Sequence, residues 1–223
     1  KFIKKIIYLF LLPFILFILF IYGSHTINHN KVSNETLNKK SYIKVISPNF
    51  SLKYGLTDEE IQNRLKKLIK YSDPKNDKKT VYVWPEGVFS GYTYKELLSL
   101  RELFSKSFST DHYILFGINR ASKETGGVYN SIVVVNNQLE IIQEYNKQKL
   151  VPFGEFLPFE KFLKKFGLKK ITEGHGSFLK GEDQKNLLFN NLNILPLICY
   201  EIIFTKFVQN SSLETNLIVN ISE

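Results

Sequence analysis

The sequence predicts an α/β fold in which a sheet is covered on both faces. Three observations carry that prediction. The strand candidates are apolar along nearly their whole length, as in sheets buried on both sides. Amphipathic helical segments alternate with them over the first half of the folded region. The 223 residues, 43 % apolar with 19 phenylalanines, suffice for one large core plus an appendage.

The appendage comes first. Residues 6–22 of "KFIKKIIYLFLLPFILFILFIYGSH" carry no charge and a single proline, Pro13. As a helix this run covers roughly 26 Å, and the stems of Lys4 and Lys5 extend it towards the hydrocarbon thickness of a bilayer. It is longer than the apolar region of a cleaved signal peptide. We therefore read residues 1–23 as a transmembrane helix, with Lys1, Lys4 and Lys5 on the cytoplasmic side and the remainder of the chain outside. Residues 24–41 are polar and aperiodic and read as a linker.

Residues 42–223 form the folded domain. "YIKVISPNF" is a strand that ends at Pro48. In "TDEEIQNRLKKLIKYS", Thr57 is the expected N-cap with Glu60 three residues on, and Ile61, Leu65, Leu68 and Ile69 follow helical spacing. "TVYVWPEG" is a strand and "TYKELLSLRELFSKSF" a helix. "HYILFGINR", "VYNSIVVVNN" and "LEIIQEYNKQKLVPF" are successive strands, and "NILPLICYEIIF" and "NLIVNIS" are two more. The first residue is Lys and the last strand stops without a following element, so the sandwich is expected to lack C-terminal elements.

The totals exclude some classes of function. One cysteine excludes an internal disulfide. The net charge of +9 comes mostly from scattered lysines. No basic run interleaved with aromatics resembles a nucleic-acid module, so no nucleic-acid partner is expected. His25 and His29 have the i, i+4 spacing of helical metal ligands, but no third ligand is nearby and no helix is expected there, so neither a metal nor a cofactor is expected. His112 and His175 stand in no recognisable signature for a Cys–His pair.

In layered α/β folds, sites form at the carboxyl ends of strands. Three strands here end in chemistry: "VYVW" in Pro85-Glu86-Gly87, "IIQEYN" in Lys147, and "ILPLI" in Cys199-Tyr200-Glu201. Taken singly, Glu86 is a turn residue, Lys147 a surface charge and Cys199 a small buried hydrophobe. Together they form a kit for acyl transfer through a thioester. A carboxylate takes the proton of a thiol as it attacks, and an ammonium stabilises the resulting oxyanion.

At these residues the chain resembles a nitrilase-superfamily domain and, within that superfamily, the bacterial apolipoprotein N-acyltransferases. The pieces are "WPEG" with Glu86, "YNKQKLVPFGEFLP" with Lys147 and Glu155, and "ICYEIIF" with Cys199, separated by 61 and 52 residues. "LVPFGE" is the most specific of them. The resemblance implies an α-β-β-α sandwich, with Glu86 as general base, Lys147 as oxyanion stabiliser and Cys199 as nucleophile. It implies Glu155, Glu201 and Tyr200 as supporting residues. It further implies an acyl chain taken from a phospholipid and delivered to the N-terminal amine of a diacylglyceryl-modified apolipoprotein, at the periplasmic face of the bacterial inner membrane. Lys149 stands where that family often has a histidine. A membrane-tethered amidase that hydrolyses its thioester is the alternative, and an inactive remnant or membrane-bound interaction module a second. "FEKFLKKFGLKK" (residues 159–170) reads as a basic amphipathic helix, either at a membrane surface or packed on the domain.

Overall fold

A computed structural model describes residues 2–29, 42–51, 53, 55–158, 177–182, 185–209 and 214–222. The segment expected to form a basic amphipathic helix lies outside the described residues. The chain divides into two compact units, residues 1–40 and 41–223.

In the first unit, α1 runs Phe2–His29, with Pro13 inside it. It continues six residues into the segment read as linker. Nothing there breaks a helix, and the Thr26 hydroxyl donates to the Tyr22 carbonyl one turn back (2.9 Å). Among the described residues no helix is long and apolar enough to cross a membrane. The side chains of α1 are described from Leu11, and the apolar stretch from there to Tyr22 spans about 18 Å.

The second unit is built in layers. A five-stranded sheet has the order β1 (Tyr42–Val45), β2 (Thr80–Val83), β3 (His112–Ala121), β4 (Val128–Val135), β5 (Ile141–Asn146). The first three strands are parallel and the last three antiparallel. A second sheet holds β6 (Leu187–Phe189), β7 (Leu192–Ile198) and β8 (Leu217–Ile221), with β6 antiparallel and β8 parallel to β7. β6, too short to stand out in the sequence, is an element that periodicity missed.

Side-chain alternation along the first sheet sorts its residues onto two cores. Tyr82, Trp84, Ile114, Phe116, Val133 and Val135 face the helices, α2 (Asp58–Ser72), α3 (Tyr94–Leu97) and α4 (Arg101–Ser107). The expected single helix over residues 93–108 is split by a 3₁₀ turn at Leu98–Leu100. Trp84 anchors this layer: it is fully buried, ringed by Phe89, Phe104, Phe108 and Phe116, and donates its indole N–H to Ser72 Oγ (3.0 Å). Val81, Val83, Leu115, Ile132, Val134 and Tyr145 face the other way and meet Leu187, Ile194, Leu197, Val219 and Ile221 of the second sheet. Phe207 of α5 (Thr205–Gln209) joins that second core. The described residues thus supply a helix layer and two sheets of the expected sandwich.

Helix α2 starts as its sequence dictates. Thr57 Oγ1 accepts from the Glu60 N–H (3.3 Å), and Glu60 Oε2 accepts from the Thr57 N–H (3.0 Å). This reciprocal pair satisfies two orphan donors of the first turn. We expect Thr57→Ala to cost about 1 kcal/mol, measured as a fall in urea midpoint or of about 2–4 °C in Tm.

Candidate active site

The alternation that builds the sheet–sheet core also aims the site. Lys147 lies two positions beyond Tyr145, Asn130 two before Ile132, and Gly117 two beyond Leu115, so all three fall on the face turned to the second sheet. Strands β4 and β5 keep their pairing to the end, where the Lys147 N–H donates to the Asn130 carbonyl (2.9 Å). Tertiary packing therefore takes a lysine with an unremarkable sequence context and leaves it 1 % exposed.

A buried ammonium requires counter-charge. Lys147 Nζ donates to Glu155 Oε1 (2.8 Å) and stands 3.9 Å from Glu86 Oε1. Asn130 joins the two carboxylates: its Nδ2 donates to Glu86 Oε1 (2.8 Å) and to Glu155 Oε1 (2.9 Å). Glu155 is held by its own turn, where its second oxygen accepts from the Val151 N–H (2.9 Å) and its N–H donates to the Val151 carbonyl (2.8 Å). Glu86 follows β2 in a turn that Arg64 braces from α2. The guanidinium lies 3.5 Å from the Gly87 carbonyl and 3.4 Å from that of Val88, and it donates to Ser51 (2.8 Å).

Cys199 is the first residue beyond β7. The expected strand "NILPLICYEIIF" stops at Ile198, and Cys199–Ile203 form a 3₁₀ turn. Cys199 takes a positive φ of 54°, uncommon for a residue with a Cβ. Such a conformation costs on the order of 1–3 kcal/mol, and Glu201 supplies the restraint that holds it. Glu201 is fully buried and gathers four donors: the Tyr145 hydroxyl (2.9 Å) and the N–H groups of Gln148 (2.8 Å), Lys149 (2.9 Å) and Ile198 (2.9 Å). This carboxylate ties the turn carrying the thiol to the backbone just after Lys147. Burial and the neighbouring Glu201 charge push the Tyr145 phenol far above its usual range, so it remains a donor. Tyr200 adds a second tie, its hydroxyl donating to the Leu150 carbonyl (2.7 Å) while its ring lies 5.8 Å from Lys147 Nζ.

The structure pairs Lys147 with Glu155, sets Glu86 3.9 Å from the ammonium and places Cys199 within their electrostatic reach, with Tyr200 and Glu201 fixing its turn. Two residues of this cluster escaped the sequence reading, Asn130 and Tyr145. The signal for Asn130 was available: an amide on the inward parity of an otherwise apolar strand requires a polar partner inside. Tyr145 carried no such signal, because a tyrosine on a strand reads as core.

Thiol, carboxylate and ammonium together can form and break an acyl–sulfur bond. Burial pushes the Cys199 thiol up from its ordinary pKa, and the Glu86 carboxylate pushes it further. The Lys147 ammonium and the Tyr200 N–H pull the other way without reversing the shift, and Glu155 adds to the rise. The resting sulfur is therefore protonated at neutral pH, and its proton must leave to a base during attack. Alkylation of Cys199 by iodoacetamide should rise with pH at a midpoint above that of a free thiol. Glu86→Gln removes a negative neighbour and should lower this midpoint, whereas Lys147→Met removes a positive one and should raise it. Mass spectrometry of the Cys199 peptide against pH reads both.

Comparison with known proteins agrees with this architecture. The carbon-nitrogen hydrolase family pattern matches residues 52–223. An apolipoprotein N-acyltransferase of Rhizobium leguminosarum bv. trifolii (strain WSM2304) is 35 % identical over 156 residues, 67 % of this chain and 29 % of that protein. One of Rhodopseudomonas palustris (strain ATCC BAA-98 / CGA009) is 36 % identical over 134 residues, 56 % of this chain and 24 % of that protein. The chain thus spans less than a third of the length of either. Among solved structures, a glutamine-dependent NAD+ synthetase from Acinetobacter baumannii superposes with a TM-score of 0.53 at 22 % identity, over 80 % of this chain and 32 % of that one. An amidase variant from Nesterenkonia sp. AN1 in complex with acrylamide gives 0.52 at 13 % identity, over 83 % and 66 %. These two show the shared fold. With the family pattern covering most of its length and the strand-end cluster in place, the chain belongs to the carbon-nitrogen hydrolase family.

Proposed function

We propose that this chain is the catalytic part of a membrane-anchored N-acyltransferase that carries an acyl group on Cys199. The observation that carries the proposal is the buried Lys147 ammonium, held against Glu155 and facing Glu86, beside a strand-end thiol. The relatives named apolipoprotein N-acyltransferase support the reaction class, and this reading takes phospholipid as donor and diacylglyceryl-modified apolipoprotein as acceptor.

In the first half-reaction the Cys199 sulfur attacks the ester carbonyl of the donor as its proton passes to Glu86. The tetrahedral oxyanion is stabilised by the Lys147 ammonium. The C–O bond then breaks, the leaving lysophospholipid oxygen takes the proton back from Glu86, and a thioester remains. In the second, the α-amine of the acceptor attacks the thioester carbonyl and gives a proton to Glu86. The C–S bond breaks, an amide is released, and the thiolate recovers the proton. Asn130 and Glu155 hold the two charged partners, while Glu201 and Tyr200 hold the turn beneath the sulfur.

Helix α1 supplies the anchor in this reading. Every residue from Leu11 to Tyr22 is exposed, and the charge-free run of the sequence begins at Ile6, ahead of the side chains described. A helix that is apolar all round is stable when lipid covers it. In this reading Lys1, Lys4 and Lys5 favour a cytoplasmic start, with the folded unit at the periplasmic face of a bacterial inner membrane.

In the full-length protein, incubation with phospholipid labelled in its acyl chain should give a hydroxylamine-sensitive label on Cys199. Addition of a diacylglyceryl-peptide should discharge it to the peptide amine, and Cys199→Ala should abolish both. Release of the label as free fatty acid at the same rate without acceptor would favour a hydrolase, and unchanged transfer by Cys199→Ala would remove the proposal. Lys147→Arg retains charge but replaces a compact ammonium with a planar fork in a fully packed site. We expect turnover to fall by about 100-fold or more with the circular-dichroism spectrum retained.

A further inference from the structure

Glu86 follows the end of β2 in a turn, and the position of that turn needs a cause. Strand β2 pairs with β3 as far as the Trp84 N–H, which donates to the Leu115 carbonyl (2.8 Å). Beyond it the chain turns across β3, with Gly87 at a φ of 61° and the Pro85 carbonyl 3.4 Å from the Gly117 nitrogen. The turn crosses directly over Gly117. A Cβ at that position would lie 2.9 Å from Glu86 Cα, 3.5 Å from Glu86 Cβ and 3.1 Å from Ile221 Cδ1 of the second sheet. The nearest of these atoms is backbone and cannot swing aside.

We infer that Gly117 is a positioning residue for Glu86. The space left by its missing side chain is the seat of the Glu86 backbone, and the depth of that seat sets how far the carboxylate reaches towards Asn130 and Lys147. Glycine is the residue that permits so close a backbone approach. The turn has no slack to absorb a methyl group. Arg64 braces its Gly87–Val88 segment from α2, and Ile221 closes the other side of the added group. Relief of the contact must move Glu86, and its 2.8 Å bond from Asn130 and 3.9 Å approach to Lys147 change with it. The inference extends the reading of Glu86 as base, and its test reports position without requiring acyl transfer.

The test is the pH profile of Cys199 alkylation in the full-length protein, read on the Cys199 peptide. Gly117→Ala should displace the midpoint by about half a pH unit or more, because the Glu86 charge that bears on the sulfur has moved. In a Glu86→Gln background the same substitution should leave the midpoint where Glu86→Gln alone puts it. The double variant Gly117→Ala/Ile221→Ala removes the 3.1 Å contact and keeps the one to Glu86, so it should show the same displacement if the single variant does not fold. A midpoint at the wild-type value in the folded variant, whatever its Tm, overturns the inference, as does an equal displacement in the Glu86→Gln background. Loss of phospholipid labelling in the wild-type protein would instead sink the acyltransferase reading and leave this one standing.

Discussion

A lysine ammonium held almost wholly out of water is the constraint on which the rest of this structure turns. Burial of an unpaired cation costs several kcal/mol, so Lys147 dictates what surrounds it. Glu155 answers with a direct ion pair and Glu86 with a more distant one. Two carboxylates around one cation leave an excess of negative charge, and the amide of Asn130 offsets part of it by donating one N–H to each. Residues from four separate segments thus meet at one place, joined by the Lys147 ion pairs and the Asn130 amide.

The second buried carboxylate serves a different purpose. Glu201 accepts from three backbone N–H groups and one hydroxyl. Its donors come from β5, from the segment after Lys147 and from the end of β7, so it joins the two sheets at the level of the site. A glutamate in that place ties the left-handed turn at Cys199 to the backbone just after Lys147. In the proposed reaction such ties would act as preorganisation of thiol and cation.

The protonation state of the sulfur follows from the same layout. The cluster places two carboxylates and one ammonium around a partly buried thiol, and burial together with the carboxylates outweighs the cation. The thiol rests neutral, unlike the low-pKa cysteines that sit beside a histidine or at a helix N-terminus. A sulfur of this kind gains nucleophilicity only as the attack proceeds and the proton leaves. In the proposed reaction Glu86 takes that proton; its turn passes 2.9 Å from where a Cβ on Gly117 would lie, and Arg64 contacts the Gly87 and Val88 carbonyls of the same turn.

Much of this was legible in the sequence because local chemistry determines it. The cap of α2, the apolar strands and the three chemically marked strand exits depend on neighbours within a few residues, and each formed where its pattern placed it. The order Glu86, Lys147, Cys199 with "LVPFGE" between the last two identified the superfamily without any coordinates. Tertiary structure alone decided the rest. Lys147 reads as one surface lysine among many until strand parity turns it inward, and Asn130 reads as strand polarity until two carboxylates reach it. The left-handed backbone at Cys199 left no mark in the sequence, and Glu201, which braces that turn, draws its donors from residues more than fifty positions away as well as from Ile198. Sequence patterns record which groups a segment carries, whereas burial and charge pairing are properties of the assembled sheets and exist only once those segments have met.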